Sequence, residues 1–312
     1  MEFREFEYII TVAKYQSFTK AAEKLYVSQP TISQTITNVE KKLNVKLFDR
    51  SCFPIKLTYS GERYVEIAKE IISLKDNLLK ELSDINNGEQ GKIRLGTPTE
   101  RAAHVIPLVI GDFKREYPKY EVVVIENSSK NLRKMLVEKE VDILLLPQKE
   151  QEIDLDIEDE FIYEEKLLLA AKKGLVKSED LIGNYKNVFP VKNINKYPLI
   201  MLKKGHAMRL TLDVLLKDIK DQKIYMETDS HTYSALLASK GLGITIVPTR
   251  TRELLRNNNE LDYFLIEKTN GEFLNRKIYA IYRKDYYMSK AEKKFLNIIK
   301  TKLKVIENIS IL

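Results

Sequence analysis

The chain has 312 residues, 44% of them hydrophobic and 31% charged, and carries a formal net charge of +7. That length suits two or three domains, and that balance of apolar and charged residues excludes an intrinsically disordered chain. A single cysteine, Cys52, excludes an internal disulfide, a two-cysteine sensor within one chain and a thiolate metal cluster. Cys52 itself is assigned no role. The basic balance, with a pI near 9.0, is compatible with nucleic acid as a partner and equally with a solvated basic surface. The amino terminus, MEFREFEYII, is acidic and amphipathic rather than a basic stretch before an apolar core. No run approaches the roughly 18 apolar residues that a membrane span requires. A cytoplasmic location with no membrane contact is therefore expected.

In chain order, Phe6, Ile9, Ile10 and Ala13 recur at helical spacing and predict a first helix over 3–14. Ser17 can cap a second helix, with Phe18, Ala21, Ala22 and Leu25 facing inward and the two alanines permitting a close helix crossing. Tyr26-Val27 makes the turn. Ser28 caps a third helix, and Pro30 stands in its first turn, where a missing N–H costs nothing. Ile32, Ile36, Val39 and Leu43 form its expected buried stripe, which leaves Gln29, Thr31, Ser33, Gln34 and Thr37 outside. An amide can pair bidentately with adenine, and hydroxyls donate or accept at base edges. The same face also reads simply as a solvated one. Arg50 to Lys56, RSCFPIK, is expected to be a wing between two short strands.

From Thr58 to Gly88 there is no proline, and no glycine between Gly61 and Gly88. Val65, Ala68, Ile72, Leu79 and Leu82, flanked by Ile71, Leu78 and Ile85, make an apolar seam close to heptad spacing. A helix over 59–87 would be about 43 Å long. It reads as a dimerisation helix, the alternative being a helix packed on its own domain. The stretch INNGEQG ends it in a hinge.

Beyond Gly91 the texture is α/β. Strands are predicted at 92–96, 120–126 and 141–146, helices at 104–117 and 132–140, and the βαβαβ order implies a parallel sheet with ligands at the carboxyl ends of its strands. Thr97, Thr99, Ser128 and Ser129 lie in those loops, each loop leading toward a helix amino end that favours an anion. Each hydroxyl reads equally as a helix cap. Further strands are expected at 166–171, 199–202, 224–227, near 244–248 and at 277–282, with helices at 207–219, 231–240 and 290–303. The run QEIDLDIEDE, 151–160, reads as a solvated connection. Lys203, Lys204 and Arg209 surround His206 and favour an acidic ligand, although a lone loop histidine also reads as a surface residue. No HExxH, GxSxG, GxxxxGK[ST] or CxxC motif occurs, and His104, His206 and His231 lack ligand spacing, so neither an enzyme nor a metal site is expected.

Phe6, Phe18, SFTKAAEKL, VSQPTIS, Val39-Glu40 to Leu43, Leu47-Phe48-Asp49-Arg50, and Leu57-Thr58 with Gly61 resemble the winged helix-turn-helix of LysR-type transcriptional regulators. IRLGTPTE, FKREYPKYEVVVIE, EKEVDILL, PLIMLKKG and GLGITIVP resemble the effector domain of the same family, so the resemblance spans the chain. It implies an α plus α/β architecture: a DNA-binding domain at 1–58, a linker helix and hinge at 59–90, and an effector domain at 91–312. The last would hold two Rossmann-like lobes of periplasmic-binding-protein type, lobe I at 91–162 and 267–312 and lobe II at 163–266. DNA contacts are expected from Ser28, Gln29, Pro30, Thr31, Ser33, Gln34 and Thr37. The family often has arginine at the position of Gln34 and basic residues at Thr37 and Asn38, so phosphate contacts are assigned to Lys20, Arg50 and Lys56. Met201, His206 and Thr245 stand at positions that face the cleft in the family. The implied partners are a palindromic double-stranded operator, a small effector such as a carboxylate or other anion, a second copy in a homodimer or homotetramer, and RNA polymerase. No further cofactor is implied. Two rivals stand beside this reading: a solute-binding protein whose winged domain is only an interaction module, and a regulator that needs no effector.

Overall fold

The computed structural model describes residues 2–86, 90–147, 157–182 and 187–309, with side chains to residue 304. The chain divides into two units, Met1–Ile85 and Asn86–Leu312. The middle of the expected hinge, 87–89, and most of the acidic run, 151–156, lie outside the described residues.

In the first unit, α1 (Phe3–Tyr15), α2 (Phe18–Leu25) and α3 (Gln29–Leu43) precede a two-stranded wing, β1 (Phe48–Asp49) and β2 (Lys56–Leu57), and α4 (Tyr59–Ile85). Caps set the boundaries. The Ser17 hydroxyl accepts from Lys20 N and the Ser28 hydroxyl from Thr31 N, each at 3.3 Å, while Gln16, Tyr26 and Asn44 end their helices in the left-handed conformation. Ile9, Val12, Ala21, Ile32, Ile36 and Val39 are fully buried in one core with Leu47, Phe48 and Val65. Leu43 departs from the expected stripe and is 37% exposed, because α3 has by then run past the three-helix core. Along α4 the buried apolar positions fall in the first turns, at Val65 and Ala68 beside Gly61, and Ser73 and Asp84 are buried farther on, whereas Leu74, Leu78, Leu79, Leu82 and Ile85 are all exposed.

The second unit begins with β3 (Gln90–Thr97), α5 (Thr99–Glu116), β4 (Lys119–Glu126), α6 (Ser129–Val137) and β5 (Ile143–Pro147). It continues with β6 (Ile157–Lys172), β7 (Val188–Pro190), β8 (Leu199–Leu202), α7 (Ala207–Leu215), β9 (Ile224–Thr228) and α8 (His231–Ser239). It closes with β10 (Ile244–Pro248), α9 (Thr249–Leu254), β11 (Leu261–Glu267), β12 (Asn275–Arg283) and α10 (Lys290–Ile309). The strands form one path, β4-β3-β5-β12-β6-β10-β8-β9, with β11 and β7 on a branch from β6.

Two lobes share that path. In lobe I, β3, β4 and β5 are parallel and β12 runs antiparallel between β5 and the first half of β6. In lobe II, the second half of β6 pairs antiparallel with β10 and β11, and β10, β8 and β9 are parallel. Each lobe has buried clusters that coat both faces of its strands, which is why β5, β8 and β10 are apolar runs rather than alternating ones. The lobes are joined by β6, which belongs to both, and by the segment from β11 into β12.

Three sequence expectations change here. Residues 157–160 of the acidic run are not a connection: they open β6, paired with β12 from Ile157↔Arg283 to Glu160↔Ala280. The helix expected from His104 starts at Thr99, capped from Pro98, and continues through Pro107. Its first turn therefore contains Glu100 and Arg101. Strand β11 and the short α9 have no counterpart among the expected elements, since neither shows a clean period.

Candidate functional site

The first unit presents α3 and the wing together. Gln29, Pro30, Thr31 and Gln34 are exposed, and Ser33 and Thr37 half-buried. Gln34 Nε2 donates to Asn38 Oδ1 at 3.0 Å, a one-turn pair between two exposed residues. The Ser28 hydroxyl shares a 2.7 Å hydrogen bond with the Thr31 hydroxyl. Lys20 and Lys56 are exposed. Arg50 is different. Its Nη2 donates to Glu40 Oε2 at 3.3 Å and lies 3.4 Å from Thr37 Oγ1, and its guanidinium lies 5.1 Å over the Phe18 ring. It is a strut between α2, α3 and the wing as much as a candidate phosphate contact.

Glu40, named above only as part of the run Val39-Glu40 to Leu43, has a structural role that the sequence did not signal. It is buried, and its Oε1 accepts from Leu47 N at 2.8 Å and Phe48 N at 3.3 Å, so one carboxylate fixes where the wing leaves α3. Ile55 N donates to Gln16 O at 3.2 Å and anchors the far side of the wing to the turn before α2.

In the second unit, the lobes meet around a cavity of about 420 Å³. Thr99, Ser128 and Ser129 from lobe I and His206 from lobe II line it together, as does Lys204. The first four belong to helix starts, and Lys204 to the turn before His206. Ser128 Oγ caps α6 by accepting from Asn131 N at 3.3 Å, which leaves its own proton free to donate. His206 is the N-cap residue of α7, and its Nε2 lies 3.2 Å from Asp229 Oδ1. Lys203 Nζ holds the same carboxylate at 2.5 Å, and these two partners lower the Asp229 pKa.

Three expected cleft residues and one neighbour lie elsewhere. Thr97 is fully buried because β3 runs through it, and its hydroxyl donates to Leu145 O at 3.2 Å inside the sheet. Met201 is packed in the apolar core of lobe II. Thr245 is buried in β10, a central strand flanked by β6 and β8. Arg209 is turned from the cavity and neutralised by Asp213, at 2.7 Å, and by Glu227.

The cavity floor was not anticipated. Arg101, Arg250 and Arg276 all line it and all converge on Glu165, whose side chain is 1% exposed. Arg276 Nε donates to Glu165 Oε2 at 2.9 Å and Arg101 Nη2 to the same oxygen at 3.3 Å, while Arg250 Nη1 binds Oε1. Arg101 also donates to Leu145 O at 3.2 Å and to the Tyr163 hydroxyl at 3.3 Å. Although burial alone would raise it, the three guanidiniums hold the Glu165 pKa well below the usual carboxylate range. Among the described residues, five cationic side chains line the cavity (Arg101, Lys130, Lys204, Arg250 and Arg276) against Glu100 and Asp229. With Glu165 counted beneath the floor, two positive charges remain. His231, also in the lining, does not add to them, because burial and the adjacent Arg250 hold it well below its ordinary 6.5. Two buried nitrogens, Arg250 Nε and His231 Nδ1, have no hydrogen-bond partner.

A sequence signal for the floor existed. Glu165 shares its strand face with Tyr163, Leu167 and Leu169, and Arg276 shares its face with Ile278. A charged residue at an inward strand position must find a buried partner.

Comparison with known proteins places both units. Residues 3–62 match the family model described as bacterial regulatory helix-turn-helix protein, lysR family, and residues 86–304 match the LysR substrate binding domain. The uncharacterized HTH-type transcriptional regulator YcgK of Bacillus subtilis is 29% identical over 97% of this chain and 95% of its own. A full-length OxyR variant from Pseudomonas aeruginosa superposes with a TM-score of 0.69 at 20% identity, covering 98% of this chain and 95% of that one. Full-length CbnR in complex with its target DNA superposes with a TM-score of 0.61 at 21% identity, covering 97% and 100%. With a helix-turn-helix model on the first unit and a substrate-domain model on the second, this chain belongs to the LysR family of DNA-binding transcriptional regulators and is not an enzyme.

Proposed function

We propose that this regulator reads a palindromic operator through the exposed amides and hydroxyls of α3 and that an anionic metabolite in the cleft of the second unit controls it. The carrying observation is the cavity floor, where three buried arginines face one buried glutamate and a buried guanidinium nitrogen, Arg250 Nε, has no partner. Buried charge left without a partner is costly, so a bound anion gains the full benefit of donors already in place. No cysteine is among the described residues that line that cavity.

On the DNA side, α3 offers Gln29, Thr31, Ser33, Gln34 and Thr37, while Ser28 and Pro30 set its start. Lys20 and Lys56 supply phosphate contacts from α2 and the wing, with Arg50 shared between that task and the strut to Glu40. Assembly as a homodimer, or as a pair of dimers, fits the apolar residues that α4 leaves exposed over its last three turns. A two-fold axis through such a helix pair would place two copies of α3 on half-sites one turn of DNA apart or a multiple of it, hence the palindrome. Contact with RNA polymerase and a cytoplasmic location follow from this role. No helix among the described residues is long and apolar enough to cross a membrane.

The test is binding of the full chain to the DNA upstream of its own gene across a salt series. The expected logarithmic slope is about −0.9 for each phosphate neutralised. Weak association independent of salt would favour the rival reading of the winged unit as a protein-interaction module.

A further inference from the structure

Glu100 stands in the first turn of α5, in lobe I, yet its carboxylate is bound by lobe II. Oε1 accepts from the Ser230 hydroxyl and from Thr232 N at 3.0 Å, and Oε2 accepts from His231 N at 3.1 Å. These donors are the N-cap hydroxyl and the first two backbone amides of α8, a nine-residue helix. Unpaired N–H groups and the positive end of the helix dipole make such an end attractive to a carboxylate. Here the attraction is exploited by the chain itself, across the cleft.

A second observation points to a ligand at the same place. His231 is 7% exposed and Arg250 6% exposed, both line the cavity beside Glu100, and each retains a ring or guanidinium nitrogen with no partner. The pocket at the head of α8 thus contains more polar groups than Glu100 uses. Glu100 is also an acidic residue in a cavity whose other features favour an anion. Its presence there makes sense as a stand-in for one.

We propose that the amino end of α8 is a carboxylate subsite of the cleft, that Glu100 fills it when no ligand is bound, and that a carboxylate effector takes it by displacing Glu100. This rests on the reading of the cleft as an effector site and adds to it the chemical group recognised and the contact that recognition breaks. A planar, two-oxygen acceptor is what Ser230, His231 and Thr232 already hold, and a carboxylate ligand reproduces it atom for atom. Because Glu100 is tethered, it competes at an effective concentration on the order of millimolar. A ligand therefore needs a second anchor, and Arg101, Arg250 and Arg276 supply one for a second anionic group. A short dicarboxylate satisfies both. Its binding removes the three hydrogen bonds by which Glu100 ties α5 to α8, so the lobes are freed to change their angle about β6 and the segment from β11 into β12.

Glutarate is the probe: its carboxylate and chain copy the Glu100 side chain, and its other end adds the second charge. Glutarate would be titrated against the full chain, wild type, E100A and E100A/S230A, with binding read by thermal shift and calorimetry. The expected result is half-saturation at a concentration about tenfold lower in E100A than in wild type, because the internal competitor is gone. Adding S230A should reverse most of that gain. If E100A does not fold, E100Q keeps the shape and removes the charge, and should show the same direction with a smaller gain. Amide hydrogen exchange of the ligand-free protein supplies a second readout: the His231 and Thr232 amides should exchange faster in E100Q than in wild type. Equal glutarate affinity in wild type and E100A, with R250M weakening both, would overturn the displacement and leave the anion cleft standing. No glutarate binding by any of these proteins would overturn both.

Discussion

Arg276 and Glu165 face each other across β12 and β6, directly opposed in register, with Arg276 Nε 2.9 Å from Glu165 Oε2. Both side chains are buried, and they sit where β6 passes from one lobe to the other. The pair therefore belongs at once to the hinge and to the floor of the cleft. Replacing Glu165 by glutamine should strand three buried guanidiniums. The expected cost is about 3–5 kcal/mol, the usual penalty for breaking a buried ion pair from one side. Urea unfolding of the full chain, followed by a probe in the second unit, should show it as a lower midpoint for that unit. A loss below about 1 kcal/mol would mean that the arginines are neutralised in some other way.

Stability should also depend on pH with a definite sign. Burial, with Arg250 nearby, lowers His104 from its ordinary 6.5 to about 4, and the same causes hold His231 well below 6.5. Both histidines are thus neutral in the folded chain at pH 7. Because their folded values are depressed, the unfolded chain binds more protons below pH 6.5, and stability present above that value is lost as pH falls toward 4. Glu165 is held low enough to remain ionised throughout this window. Unfolding midpoints at pH 7.5, 6 and 5 should fall in that order, and H231N should flatten the fall. Constant midpoints would contradict the burial of these rings.

The joint between the wing and α4 has no spare room. A Cβ built on Gly61 would lie 1.9 Å from Leu47 O, in a region where Thr58 N also donates to Leu47 O at 3.0 Å. Gly61→Ala must shift α4 or break that turn, and should cost about 1–3 kcal/mol as an overpacking change. Thermal unfolding of the first unit should show the loss, and α3 should bind DNA less well without touching it differently. An unchanged midpoint would show that the close approach is not real.

Base reading and phosphate grip should separate by mutation. Gln29→Ala combined with Gln34→Ala should cost about 1–3 kcal/mol of discrimination for each lost pair while leaving the salt slope unchanged. Lys20→Ala or Lys56→Ala should instead weaken binding to all sequences and reduce the salt slope by about 1 each. Competition binding with specific and random duplexes across salt distinguishes the two. The reverse assignment of effects would move the reading face off α3.

How much of this was legible beforehand follows from how local each feature is. Ser17, Ser28 and Pro30 act within one helical turn, so the helix pair and its caps could be placed residue by residue. Thr99, Ser128, Ser129 and His206 line the cavity because each stands at a helix start after a strand, which is also a local pattern. Thr97, Met201 and Thr245 were misplaced since a one-residue difference in a strand end, or a central position in a sheet, decides whether a side chain meets the cavity or the core. Arg101, Glu165, Arg250 and Arg276 come together from four segments as much as 175 residues apart in number, and no local period announces their meeting. The only trace was the charge of Glu165 and Arg276 at inward positions of apolar strands, since Arg101 and Arg250 stand in the first turns of α5 and α9. Glu100 left less, since a glutamate in a first turn ordinarily serves its own helix.

The central claim is that an anion in the cleft governs what α3 does on DNA. The most direct measurement is fluorescence anisotropy of the full chain on the DNA upstream of its own gene, with and without a panel of small mono- and dicarboxylates, in wild type and R250M. At least one acid should change the wild-type affinity or footprint, and the same acid should leave R250M, which still binds that DNA, unmoved. Identical binding with every acid in the wild type, or an equal response in R250M, would contradict it.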